Sequence, residues 1–187
     1  MTNTSRMTVA GALALAGYAV HAAFHLWHGT PADMLWVCHF AAVMVGIGLM
    51  QRRAPLVGAG TLILCMGTPL WVLDLVQGGE FFPTSLGTHV LGLAIGLWGV
   101  RELGMHKGAW WKAALAVLAL VGVSRIVTPA ASNVNVAFAM PPGMEHYFPS
   151  HRVYLAVMLG ISSVYFWVVE ALLRRAMGVE KSKEGVP

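Results

Sequence analysis

The sequence predicts an all-α integral membrane protein, a bundle of six transmembrane helices with both the N and the C terminus cytoplasmic. Three observations predict it. Of the 187 residues, 57% are hydrophobic and only 11% charged, against about 25% charged in a soluble domain. Mean hydropathy is +0.68, and six apolar stretches are long enough to cross a bilayer, for which roughly 20 residues are needed. The cations are also one-sided. In a six-span arrangement Arg6, Arg52, Arg53, Arg101, Lys107, Lys112, Arg174, Arg175, Lys181 and Lys183 share a face, and only Arg125 and Arg152 lie opposite. That positive-inside bias sets the orientation and places a multi-pass chain in a bacterial-type plasma membrane.

The first span, 7–28, follows Arg6 and resembles a cleavable leader as far as Ala22-Ala23. Its apolar run continues to Trp27, so a retained helix is expected. Gly29-Thr30-Pro31 breaks the chain before a second span, 33–50, and Arg52-Arg53-Ala54-Pro55 turns it into a third, 55–77. The segment from Gln77 to Pro83 precedes the fourth, 84–101. The fifth, 110–128, leads into a Pro-, Asn- and Ser-rich loop, 129–150, expected to fold over one mouth of the bundle. The sixth is 151–173. The whole transmembrane domain is expected over 1–176, with a flexible cytoplasmic tail over 177–187. Trp36, Trp98, Trp110 and Trp111 read as interfacial anchors.

The formal charge of +4 reports topology, since the basic residues sit at segment ends; nucleic acid is not an expected partner. Cys38 and Cys65 lie inside apolar segments and suggest neither a disulfide framework nor a C-x-x-C redox pair; both read as buried small hydrophobes. The lipid bilayer is the expected environment, and an oligomer or a partner subunit is left open.

The polar chemistry is concentrated in one layer. His21, His25 and His28 fall in the outer third of the first span, and His39 lies below the outer end of the second. Asp74 is near the outer end of the third, and Ser85 and His89 begin the fourth. His146 and His151 belong to the last outer loop and the start of the sixth span, so only His106 is cytoplasmic. On a helix, positions i, i+4 and i+7 fall within about 60° of one another, so His21, His25 and His28 line one stripe. An i, i+4 histidine pair can offer two imidazoles to one ion. Asp74 within a span is costly unless it pairs with a cation, a metal or a histidine.

These residues predict a metal-dependent membrane enzyme acting on a lipid-like or other hydrophobic molecule. His21, His25 and His89, with His28 nearby, are the expected metal ligands for zinc or iron. Asp74 is the expected general base or ligand-orienting group, and Ser85 the donor to a developing oxyanion. The H-x-x-x-H pair His21/His25, the S-x-x-x-H pair Ser85/His89 and the membrane carboxylate Asp74 resemble the ligand chemistry of seven-helix, alkaline-ceramidase-type hydrolases. The resemblance is confined to those residues; their order differs and the span count here is six. It implies a zinc hydrolase, whereas the abundance of histidine equally suits a non-haem iron oxidase with His28, His39, His146 and His151 as further ligands.

A b-type haem protein in electron transfer is the alternative. Its axial pair would join His25 or His39 to His89 or His151. Covalent c-type haem is excluded, since no C-x-x-C-H occurs. A metal carrier, sensor or accessory subunit ranks third, because the inner halves of the second, fifth and sixth spans carry few polar residues. Met140, Met144 and His146 offer a soft copper-type set, but read as loop residues.

Overall fold

The structure is a computed structural model, described here for residues 2–177. The expected tail, 177–187, lies outside the described residues apart from Met177. Helix α1 (Asn3–Trp27) leads through a 3-10 turn, Pro31–Leu35, into α2 (Val37–Met50) and α3 (Ala54–Val76). A π-turn, Gly87–Leu91, runs directly into α4 (Gly92–Leu103), followed by α5 (Ala109–Val127). The loop beyond α5 contains three short 3-10 turns before α6 (His151–Ala176). Among the described residues there is no strand.

Helices α1, α3, α5 and α6 are each long and apolar enough to cross a bilayer. Their outward faces carry Val9, Leu13, Val20, Leu118, Ile161, Val164 and Trp167, all exposed, a surface suited to acyl chains and unsuited to water. The chain is therefore a membrane protein. Two expected spans are interrupted. The stretch 33–50 is not one helix: Pro31 opens a 3-10 turn, and Trp36 is extended at ψ 134 before α2 starts. The 14 residues of α2 reach about 21 Å, short of a hydrocarbon core of about 30 Å. The stretch 84–101 is helical from Ser85 but widens into the π-turn.

Packing explains which faces turn inward. Val45, Leu49, Val57, Leu62, Leu64 and Phe166 are fully buried, so the core lies along α2 and α3 with α6 against them. Small residues let backbones approach. A Cβ on Gly60 would come within 2.8 Å of the Ala41 carbonyl on α2, and one on Gly17 within 3.0 Å of the Gly87 carbonyl. That second approach seats the π-turn against α1.

Freed backbone groups find partners, as an apolar environment demands. Pro69 inside α3 has no N–H for the Cys65 carbonyl, and the Tyr165 hydroxyl of α6 donates to that carbonyl at 2.8 Å. At the start of α5, both carboxylate oxygens of buried Glu170 accept backbone N–H groups, from Gly108 at 2.9 Å and Trp110 at 2.8 Å. A carboxylate at a helix N-terminus also meets the positive end of its dipole.

Candidate metal centre

Three imidazoles converge where α1 meets the start of α2. His21 and His25 are one turn apart on the buried face of α1, and His39 lies in the first turn of α2. The Nε2 of His21 is 3.2 Å from the Nε2 of His39 and 3.2 Å from the Nε2 of His25. His89 on the π-turn extends the group, its ring centroid 5.5 Å from that of His39. Only 2% of His21 and 2% of His89 is accessible.

Each ring is held from behind. His21 Nδ1 pairs with Thr84 Oγ1 at 2.8 Å, and His25 Nδ1 with Thr30 Oγ1 at 2.8 Å. His39 Nδ1 donates to the Asp33 backbone carbonyl at 3.0 Å. Asp33 also supplies charge: its carboxylate is 3.9 Å from His25 Nδ1. Such outer partners fix ring orientation and tautomer in metal sites. His89 stacks on Trp71 with centroids 4.8 Å apart and planes 8° from parallel. Its Nδ1 is buried with no hydrogen-bond partner among the described residues.

The proton count makes the convergence informative. A carbonyl only accepts, so His39 Nδ1 carries the proton and its Nε2 presents a bare lone pair. One proton on His21 Nε2 would satisfy the contact to His39, leaving none aimed along the contact to His25. One donated instead from His25 leaves His21 and His39 lone pair to lone pair. Neutral rings cannot fill both contacts with well-aligned hydrogen bonds, so one of the two lone pairs facing His21 is left without a proton. Two nitrogens on a tetrahedral zinc ion, each bonded at about 2.0–2.1 Å, lie about 3.3 Å apart. Each 3.2 Å spacing matches one such edge.

His39 also belongs to a second grouping. One ligand atom from each of Cys38, His39 and His89 lies within 4.8 Å of the other two. Since His39 Nδ1 is committed to Asp33, the two groupings meet at the other His39 nitrogen. Cys38, Thr30, Asp33, Thr84 and Trp71 were not singled out in the sequence as site residues. The adjacent Cys38-His39 pair and the hydroxyls beside the histidine-bearing stretches were the available signals.

The remaining expected residues lie elsewhere. His28 is exposed and its Nδ1 bonds the Phe24 carbonyl at 2.8 Å, because α1 ends at Trp27 and His28 caps it. Asp74 is exposed in the last turn of α3, where its own backbone carbonyl accepts from Gly79 N–H; a carboxylate at a helix end pays little of the burial cost that suggested a partner. Ser85 is buried, but its Oγ donates to the Phe82 carbonyl at 2.6 Å. His151 donates through Nε2 to the Val136 carbonyl at 2.8 Å.

No protein-family model, no curated protein and no solved structure matches this chain.

Proposed function

We propose that this chain is a six-span membrane enzyme, both termini cytoplasmic, whose His21, His25 and His39 hold a divalent metal ion, zinc or iron, for a reaction on a lipid-like molecule. Two short helices complete the span count: α4 together with its π-turn gives a helical path from Ser85 to Leu103, and α2 is extended outward by the turn Pro31–Leu35. The one-sided cations orient them in a bacterial-type plasma membrane.

The observation that carries the reading is the pair of 3.2 Å Nε2 contacts, which neutral rings cannot satisfy alone. A bound zinc ion lowers the pKa of a coordinated water to about 7 and polarises a carbonyl. The chain supplies the rest. Thr84, Thr30 and the Asp33 carbonyl hold the ligand rings. His89, with its unpartnered Nδ1 in the buried end of the site, is placed to take or return a proton. Asp74 and Ser85 have no part in this reading, since neither makes a hydrogen bond to the cluster.

Purified protein should carry about one equivalent of metal, as expected of a single ligand set. The variant His21→Ala/His39→Ala should lose it while keeping its helical circular dichroism. Equal metal content in the wild type and the double variant would refute the reading.

One observation favours a second reading: the Cys38 sulfur lies within 4.8 Å of a His89 nitrogen. A thiol and an imidazole base form a nucleophilic pair suited to acyl transfer. Under that reading Cys38→Ser abolishes lipid turnover while metal content is retained; under the first, turnover falls on chelation. Haem b suits these residues less well. Axial nitrogens bind on opposite faces of a flat macrocycle, whereas His21 and His39 approach to 3.2 Å with no slot between them, and His151 is committed to the loop.

A further inference from the structure

The loop between α5 and α6 reaches across the bundle at one side chain. Asn135 is 9% exposed, and its Nδ2 donates to the Leu35 carbonyl at 2.8 Å and to Ser124 Oγ at 2.9 Å. Its Oδ1 accepts the Val37 N–H at 2.8 Å. Leu35 ends the 3-10 turn and Val37 begins α2, so this one amide brackets the break at Trp36. On one side of the break is Asp33, whose carbonyl fixes His39 Nδ1. On the other are Cys38 and His39 themselves.

The loop adopts a costly backbone to put the amide there. Asn135 has φ 57 and Val136 φ 56, and a β-branched residue in that region is a true outlier. Such strain persists only where the surroundings over-determine it. Here the Val136 carbonyl accepts from His151, and the Ala137 carbonyl accepts from Arg125 at 2.9 Å. Asn133 closes the loop independently, its Oδ1 accepting from the N–H groups of Phe138 and Ala139.

We propose that Asn135 is a positioning residue for the histidine centre: by pinning Leu35 to Val37 it sets where the His39 ring stands relative to His21. This rests on the metal reading above. It predicts that Asn135 acts on the centre, while its neighbour Asn133, which touches only its own loop, acts on stability alone.

The test uses the full chain in detergent, titrated with Co²⁺ as the probe ion. Asn135→Ala should weaken Co²⁺ binding by about 10–100-fold, the range for lost outer partners, and alter the visible d–d bands. Asn133→Ala should lower the melting temperature and leave affinity and bands at wild-type values. Asn135→Asp, which keeps the acceptor for Val37 and loses both donations, should fall between, and serves if the alanine variant does not fold. A second readout needs no metal: the rate of Cys38 alkylation by N-ethylmaleimide relative to Cys65 should rise in Asn135→Ala and stay unchanged in Asn133→Ala. Wild-type protein that takes up no Co²⁺ would overturn the metal reading, and the alkylation ratio would still decide the role of Asn135. Identical behaviour of the two alanine variants in bands and alkylation would overturn the proposal.

Discussion

The carbonyl of Asp33 has no proton to give, so the hydrogen bond from His39 Nδ1 leaves the opposite nitrogen free as a ligand. An imidazole binds metal only when neutral, so protons compete with the ion as pH falls. Metal held at about pH 8 should be released on acidification, which metal analysis after dialysis across a pH series will show. Retention unchanged into strong acid, where every imidazole is protonated, would contradict imidazole ligation. At this scale the sequence was partly legible. His21, His25 and His89 were readable from their common depth and helical spacing, and the structure brings them together. His28 obeys the same angular rule, but the rule ends with the helix, and α1 stops one residue earlier. His39 appeared only as a haem candidate or a further iron ligand, because its depth was visible and its neighbours were not. Thr30 and Thr84 were not legible, since hydroxyls in apolar helices usually bond their own backbone, as Thr61 does here.

Helix α3 shows how one element's defect becomes another's contact. Pro69 frees the Cys65 carbonyl, and Tyr165 of α6 takes it. Tyr165→Phe should cost about 1 kcal/mol, the net worth of a hydrogen bond. In a Pro69→Ala background the new N–H restores the intrahelical bond and the same substitution should cost close to nothing, so a double-mutant cycle by denaturation in detergent will show coupling between the two positions. Equal costs in both backgrounds would show that the hydroxyl serves nothing at Cys65. The six helices were legible as apolar stretches between Gly, Pro and Arg breakers. Two features inside them were not. The break at Trp36 is bracketed by Asn135, almost a hundred positions later, and the π-turn at His89 packs on α1 where Gly17 meets Gly87. Neither constraint is local, so no window of sequence contains it.

For the molecule as a whole, the proposed orientation rests on the cation count and can be checked directly. In a background lacking Cys38 and Cys65, Glu145→Cys in the long loop should react with an impermeant maleimide on intact cells. Lys107→Cys, between α4 and α5, should react only after permeabilisation. The reverse pattern would invert the topology and put the histidine centre at the cytoplasmic mouth. Arg125, one of the two cations on the minority side, is engaged by the Ala137 carbonyl and by the face of Phe138, 5.9 Å away, so it works within the loop and offers little signal for orientation.

The three converging nitrogens all belong to the first two helices, ahead of residue 40. A ribosome has therefore delivered all three imidazoles before it begins α3. What arrives afterwards is the scaffolding around it: Thr84 behind His21, the π-turn carrying His89, and finally the strained loop that fastens α2 in place. On the metal reading, birth order thus separates the capacity to capture an ion from the later construction of a chamber in which that ion can be used.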